Sequence, residues 1–386
     1  MSTTPIMLII RAWQGLSGAL VQPQVLGLLA VNFDNQDRGR VFGLYAAALG
    51  CAGIAAQLLG GVLVGTLPAD IGWRACFMVS VPLCAFSMIF ASDATDGARG
   101  ELKKVDITGA ALLGVSLACI CTFLTMGREQ GWPVWSFEVF AAGLVSLALL
   151  WYWQDAGHKA RDERIIPAGI LVENAFWLSL ATIFVFYAGV ASLYFVLALE
   201  LRVTCGFSPV EVGLLFGWLA VCFVTTSTSK QFKAKVAPGA EIGLVILAAG
   251  HVCMYWAGAQ SKGYAQVAWF LLSCGIQGAG IGCLMGPLMA TALSKVKAQQ
   301  ASVGGGIASA MQQVGNSIGI AAIGFAYFAS QAGGRASIGG AVVYLVGMLV
   351  LLGALVVLAK RGRKGCRGAS AAVPSSEGTG VGGLAA

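Results

Sequence analysis

Eleven long apolar runs follow one another along this chain, at about residues 6–31, 41–66, 74–92, 107–126, 137–153, 175–200, 209–228, 242–258, 265–293, 302–328 and 338–359. Crossing a bilayer takes about 20 predominantly apolar residues in a helix. The runs match that length, and the connections between them are short. The two longer polar ones are 93–106 and 154–174. Only 11% of the residues are charged, against about 25% in a soluble globular protein, and 58% are hydrophobic. A water-soluble enzyme and a disordered chain are both excluded on this basis. The predicted fold class is all-α: a polytopic membrane protein with about eleven transmembrane helices.

The net charge of +7 reads as a topology signal rather than as affinity for nucleic acid. With Met1 outside and the spans alternating, the inside connections hold Arg38 and Arg40; Arg99, Lys103 and Lys104; Lys159, Arg161 and Arg164; Lys230, Lys233 and Lys235; Lys295 and Lys297; and five basic residues of the tail, Lys360, Arg361, Arg363, Lys364 and Arg367. The outside connections hold only Arg74, Arg128, Arg202, Lys262 and Arg335. This is the positive-inside asymmetry of an inner (plasma) membrane protein, with the C-terminus in the cytoplasm. The tail 360–386 turns from basic to Gly, Ser and Ala and is expected to be disordered.

The 53 glycines suit helices that pack closely in lipid. Gly278, Gly282 and Gly286 repeat every four residues and mark a small-residue face, and Pro287 follows them with the prospect of a kink. The 11 cysteines show no CxxC pair and lie mostly in apolar runs, so they read as small buried residues. No metal-ligand spacing occurs, and no cofactor is expected. Gly304-Gly305-Gly306 lacks the Lys-Ser/Thr of a phosphate-binding loop. With two His and no acid in mid-span, an acid–base dyad is hard to build, and the chain reads as a non-enzyme.

Ionisable residues within a span are functional hypotheses by default. Two stand out. Arg11 lies about one turn into the first run, where it either snorkels to the surface or faces the bundle interior. His251 is mid-run, bonded to a neighbouring helix or relaying protons. Glu211, in Ser208-Pro209-Val210-Glu211, reads as part of a capping box, and Asp106 as an N-cap. All 17 acidic residues fall in connections, at run ends or in the tail. The uncharged polar residues Gln14, Gln57, Gln277, Gln312, Gln313 and Asn316 either bond between helices or line a wet cavity. Gln312 and Asn316 are four apart, hence on one helix face. Trp177, Tyr187, Tyr194 and Trp218 are candidates for an apolar wall. Trp132 and Trp135, flanking Pro133, read as interfacial anchors.

Several motifs in order resemble a known family. They are Arg11-x-x-Gln14-Gly15-x-x-x-Ala19 with Pro23; Asp37-Arg38-Gly39-Arg40 with Phe42-Gly43-Leu44-Tyr45 and Gly50; Trp73-Arg74-x-x-Phe77 with Val81-Pro82; Asp106-x-x-Gly109; Gly206-Phe207-Ser208-Pro209 with Gly213; and Ser302-x-Gly304 through Gln313-x-Gly315-x-x-x-Gly319. Together they resemble the fourth and later helices of the major facilitator superfamily, and within it the 14-helix drug:proton antiporters. The resemblance implies two helical bundles around a midplane cavity. It divides the chain into a partial N-terminal bundle of three helices (residues 1–92), an inserted helix pair (93–157), a six-helix C-terminal bundle (158–359) and the tail. The chain then reads as lacking the family's first three helices, with their acidic residue. The fifth-helix antiporter motif keeps Gly60-Gly61 but carries Gln57 where the family has Pro.

By the same resemblance Arg11, with Gln14, Gly15, Gly60 and Gly61, faces the interior and assists proton coupling. Gln57, Trp177, Tyr187, Tyr194, Trp218, Gln277, Gln312, Gln313 and Asn316 line the substrate cavity. The implied function is secondary active, proton-coupled export of amphipathic drugs or metabolites by a monomer in the bilayer. The alternative is a truncated, non-transporting membrane protein or scaffold.

Overall fold

The structure is a computed structural model. The structure describes residues 4–33, 35–94, 106–127, 130–155, 174–229, 240–259, 263–293, 301–332 and 337–371. All regular structure among them is helical: α1 (Thr4–Asn32), α2 (Asn35–Thr66), α3 (Ala69–Met78), α4 (Ser80–Ala94), α5 (Ile107–Thr122), α6 (Val134–Asp155), α7 (Asn174–Leu199), α8 (Pro209–Thr228), α9 (Ala240–Ala259), α10 (Tyr264–Leu293), α11 (Ala301–Ala332) and α12 (Ser337–Ala371). Single π-turns extend α5 over Phe123–Gly127 and α7 over Glu200–Thr204.

Among the described residues, nine stretches are long and apolar enough to cross a membrane. One of them, Asp70–Ile89, is shared by α3 and α4. The division falls after Met78, four residues before Pro82, whose ring crowds the carbonyl four positions back and which offers no N–H to it. The other two of the eleven expected runs are α1 and α11. They have the length, at 29 and 32 residues, but are diluted by Arg11 and Gln14 in one, and by Gln312, Gln313 and Asn316 in the other. Helix α12 continues past the apolar run to Ala371, beyond the expected end at 359 and into the part of the tail expected to be disordered. Most of the basic connections behind the expected orientation lie outside the described residues.

The helix starts follow the sequence. Asp106 accepts a bond from the Gly109 amide at 3.0 Å. Ser208 and Glu211 form the reciprocal capping box, with the Glu211 carboxylate accepting from the Ser208 amide at 2.7 Å. At the far end of the α5–α6 hairpin, Trp132 adopts φ +60° and packs its ring 4.9 Å from that of Phe123, which stacks on Phe140.

The buried core lies mainly among α7–α12. Helix α9 packs on α10, α7 on α11 and α12, and α8 on α10. Large buried side chains such as Phe176, Leu193, Met254, Phe270 and Tyr327 fill the space between them. Helix α2 docks on α8 and α10, whereas α1, its neighbour in sequence, packs chiefly on α11. Apolar side chains such as Leu20, Met88, Val134 and Trp151 are exposed around the outside, as a lipid-facing surface requires.

Glycine allows this close packing where backbone meets backbone. A Cβ at Gly61 would come within 2.8 Å of the Pro209 carbonyl oxygen, so α2 rests directly on the start of α8. A Cβ at Gly278 would overlap the Leu219 carbonyl oxygen, and one at Gly282 would lie 2.5 Å from the Phe223 carbonyl oxygen. Two members of the four-residue glycine repeat therefore seat α10 on α8. Pro287 sits within α10, which is helical through to Leu293.

Candidate functional site: an aromatic cavity between α2 and α7, α8 and α10

A cavity of about 200 Å³ opens where α2 meets the core. Helix α2 contributes Leu49, Gly50 and Gly53, and α7 contributes Phe186, Tyr187, Val190 and Tyr194. Helix α8 supplies Phe216, Leu219, Ala220 and Phe223, and α10 closes the space with Ile281 and Met285. The spacing explains the α7 set: Tyr187, Val190 and Tyr194 are three and four apart, hence on one helix face. Tyr194 meets the Phe216 ring edge-on at 5.7 Å, and Phe186 meets Tyr187 edge-on at 5.4 Å. A Cβ on Gly50 would overlap the Phe223 phenyl ring where that ring now stands. The ring thus lies in the notch that glycine leaves.

The lining has no charged side chain. Its polar side-chain groups are the two tyrosine hydroxyls. A preformed cavity of about 150 Å³ is known to take a benzene ring, so this space accommodates one ring of a larger molecule, with two hydroxyls for orientation.

The other candidate residues lie elsewhere. Trp177 is partly exposed, edge-on to Phe176. Trp218 is also partly exposed and donates its indole N–H to the Leu271 carbonyl at 3.0 Å. Gln277 is fully buried between α9 and α10: its amide donates to the Gly250 carbonyl (3.3 Å) and to Ser273 Oγ (2.6 Å), and its Oε1 has no hydrogen-bond partner. Gln312 is buried on α11. Gln313 is exposed, and its Oε1 accepts from Asn316 Nδ2 at 3.2 Å. The side chain of Gln57 lies outside the described residues.

Arg11 is exposed on α1. Its guanidinium donates to Gln14 Oε1 at 2.9 Å and lies 4.2 Å over the Phe77 ring of α3, a cation–π arrangement. Among the described residues, no atom beyond the glycine's own turns of helix and chain neighbours lies within 4 Å of where a Cβ on Gly15 or Gly60 would stand. His251 is buried, with Nδ1 2.6 Å from the Leu247 carbonyl one turn back. Among the described residues no group of three or more His, Cys, Asp or Glu is placed to hold a metal ion.

One buried group has no counterpart in the sequence reading. Glu200, at the end of an apolar run, is 2% exposed. Its Oε2 accepts from the Tyr327 hydroxyl at 2.9 Å and from Thr204 Oγ1 at 3.2 Å. The signal that could have found it is the distance of Glu200 from the next helix start: Ser208-Pro209 lies eight residues on, which leaves room for α7 to continue past the carboxylate.

The family model described as Major Facilitator Superfamily matches residues 1–320. Among similar proteins, the probable actinorhodin transporter of Streptomyces coelicolor is 31% identical over 332 residues, covering 82% of this chain and 56% of the relative. The tetracenomycin C resistance and export protein of Streptomyces glaucescens is 28% identical over 330 residues, covering 82% and 58%. A puromycin resistance protein of Streptomyces alboniger is 25% identical over 319 residues, covering 81% and 61%. The chain spans a little over half the length of these curated relatives. A match over most of the chain, on a bundle of apolar helices closed by glycine contacts, shows that this helical, multi-pass protein belongs to the major facilitator superfamily.

Proposed function

We propose that the chain belongs to a secondary transporter that exports ring-bearing amphipathic organic compounds across the plasma membrane in exchange for protons. The observation that carries this reading is the uncharged aromatic cavity, walled on one side by α2 and on the other by α7, α8 and α10. A site shared by two sets of helices can be uncovered to one face of the membrane or the other as the sets rock, which is alternating access. Phe186, Phe216 and Phe223 give a ring its apolar surface, and the hydroxyls of Tyr187 and Tyr194 fix its orientation. The relatives named for antibiotic export and resistance support that substrate class. Arg11, held by Gln14 and Phe77, assists the coupling to protons.

The test uses the protein reconstituted in liposomes with an imposed pH gradient, and tetracenomycin C or puromycin as probe. Accumulation that is abolished by a proton ionophore and reduced by Tyr194→Ala is the expected result. Accumulation indifferent to the gradient would remove the proton coupling. No movement of either compound would remove the export reading for them.

A further inference from the structure

The buried cluster of Glu200, Thr204 and Tyr327 stands apart from the cavity. It joins the end of α7 to α11 through residues 127 positions apart. Its three side-chain oxygens are mutually in contact: Tyr327 to Glu200 at 2.9 Å, Thr204 to Glu200 at 3.2 Å, and Thr204 to Tyr327 at 3.3 Å. Glu200 is 2% exposed and Tyr327 fully buried. Three contacts require three protons, and the two hydroxyls supply two. With the carboxylate ionised, both hydroxyls donate to Oε2, and the Thr204–Tyr327 contact holds no proton. A proton placed on the carboxyl group closes the ring: Glu200 donates to Thr204, Thr204 to Tyr327, and Tyr327 to Glu200. The cluster therefore has hydrogen-bonded arrangements for both states.

Glu200 opens the π-turn that ends α7, closed by the Cys205 amide on the Glu200 carbonyl at 2.9 Å. Such turns are ordinary at helix C-termini, and here the turn carries the helix past the carboxylate. Among the described residues of the π-turn, α7, α8, α10 and α11, the other charged side chains are Arg202 and Glu211. Arg202 is exposed and donates to the Phe207 carbonyl, and Glu211 is tied into the cap of α8. The basic residues of α12 lie at its opposite end. Tyr327 is the titratable group in direct contact. Glu200 follows the cavity residue Tyr194 by six positions, about 9 Å along the helix.

We propose that Glu200, clasped by Tyr327 and Thr204, is a proton-binding site of the transport cycle, one that exchanges its proton at the α7 end of the bundle and reports its state to the cavity through α7. This rests on the proton-coupled reading above and names a carboxylate for it. A proton taken up there neutralises a charge inside an apolar bundle, where charge is costly, and tightens the clasp between α7 and α11. Loss of the proton leaves that clasp one hydrogen short. Glu200 is the proton-binding group, and Tyr327 is a positioning residue.

Two measurements on the full chain test this. The first is infrared difference spectroscopy of the purified protein across a pH series, with no substrate present. A protonated-carboxyl C=O band that grows as pH falls, is absent in Glu200→Gln and is displaced in Tyr327→Phe is expected. A band unchanged in Glu200→Gln overturns the proposal. The second is transport of tetracenomycin C in proteoliposomes. Glu200→Gln, which preserves shape and the contacts of both hydroxyls, is expected to lose accumulation driven by the pH gradient while keeping downhill flux, and Glu200→Asp to recover part of it. Gradient-driven accumulation unchanged in Glu200→Gln overturns the proposal and leaves the coupled reading standing. Wild-type protein that transports with no proton dependence overturns both, whether or not the Glu200 band is seen.

Discussion

Gly50 and Gly278 both become alanine at the same chemical expense, one methyl group, yet the structure predicts opposite consequences. At Gly50 the new methyl group would overlap the Phe223 ring. That ring lines the cavity, so it has empty space to move into. At Gly278 the methyl group would meet the Leu219 carbonyl oxygen, which is backbone in the middle of α8 and can yield only if α8 and α10 separate. Overpacking costs about 1–3 kcal/mol in a closed core. Gly278→Ala falls at or above the top of that range and Gly50→Ala at or below the bottom. The effect on ligand binding is reversed. The displaced phenyl ring occupies the room for a substrate ring, and loss of about 1.5–3 kcal/mol of apolar burial weakens binding roughly 10- to 150-fold.

The assay measures thermal stability and tetracenomycin C affinity of both variants, in the same detergent. Gly50→Ala should keep its stability and lose affinity, and Phe223→Leu in the same chain should restore part of that affinity. Gly278→Ala should lose stability. Gly50→Ala with unchanged affinity, or a double variant no better than the single, would refute the placement of the substrate ring beside Phe223.

Further outcomes follow from individual contacts. Gln277→Met should leave stability within about 1.5 kcal/mol and leave transport intact, because the amide carries an orphaned oxygen and Ser273 still bonds the Gly250 carbonyl; loss of transport at equal expression would return Gln277 to the substrate path. Arg11→Lys keeps the charge but loses the planar stack on Phe77, so gradient-driven accumulation should fall while binding of the same compound persists; unaltered accumulation would show that the guanidinium has no part in coupling. Ser208→Ala removes half of the capping box of α8 and should cost about 1 kcal/mol, read as a lower unfolding temperature without a change in affinity.

The sequence made the spans legible because hydrophobic length is a one-dimensional property. The helix starts at Asp106 and Ser208 were legible for the same reason, since a cap is a contact over three residues. Gly278 and Gly282 disclosed a packing face, although not which helix it would meet. Rotation of each helix about its own axis was much less legible. A helix that is apolar all round gives no stripe to orient it, and α7 and α8 are of this kind. Tyr194 and Trp218 therefore looked alike in sequence, yet one lines the cavity and the other is bonded to the Leu271 carbonyl on the outside. Glu200 was hidden differently. In sequence it ends an apolar run, but the π-turn carries α7 past it, and its partner Tyr327 comes from a helix far along the chain.

The most direct test of the central claim is to find where a substrate ring rests. A photoreactive derivative of tetracenomycin C, crosslinked to the protein in its membrane and mapped by mass spectrometry, should label Tyr187, Tyr194, Phe216 and Phe223, with labelling suppressed by excess unmodified compound. Suppressible labelling confined to the Gln313–Asn316 face of α11, with these four residues untouched, would contradict the account.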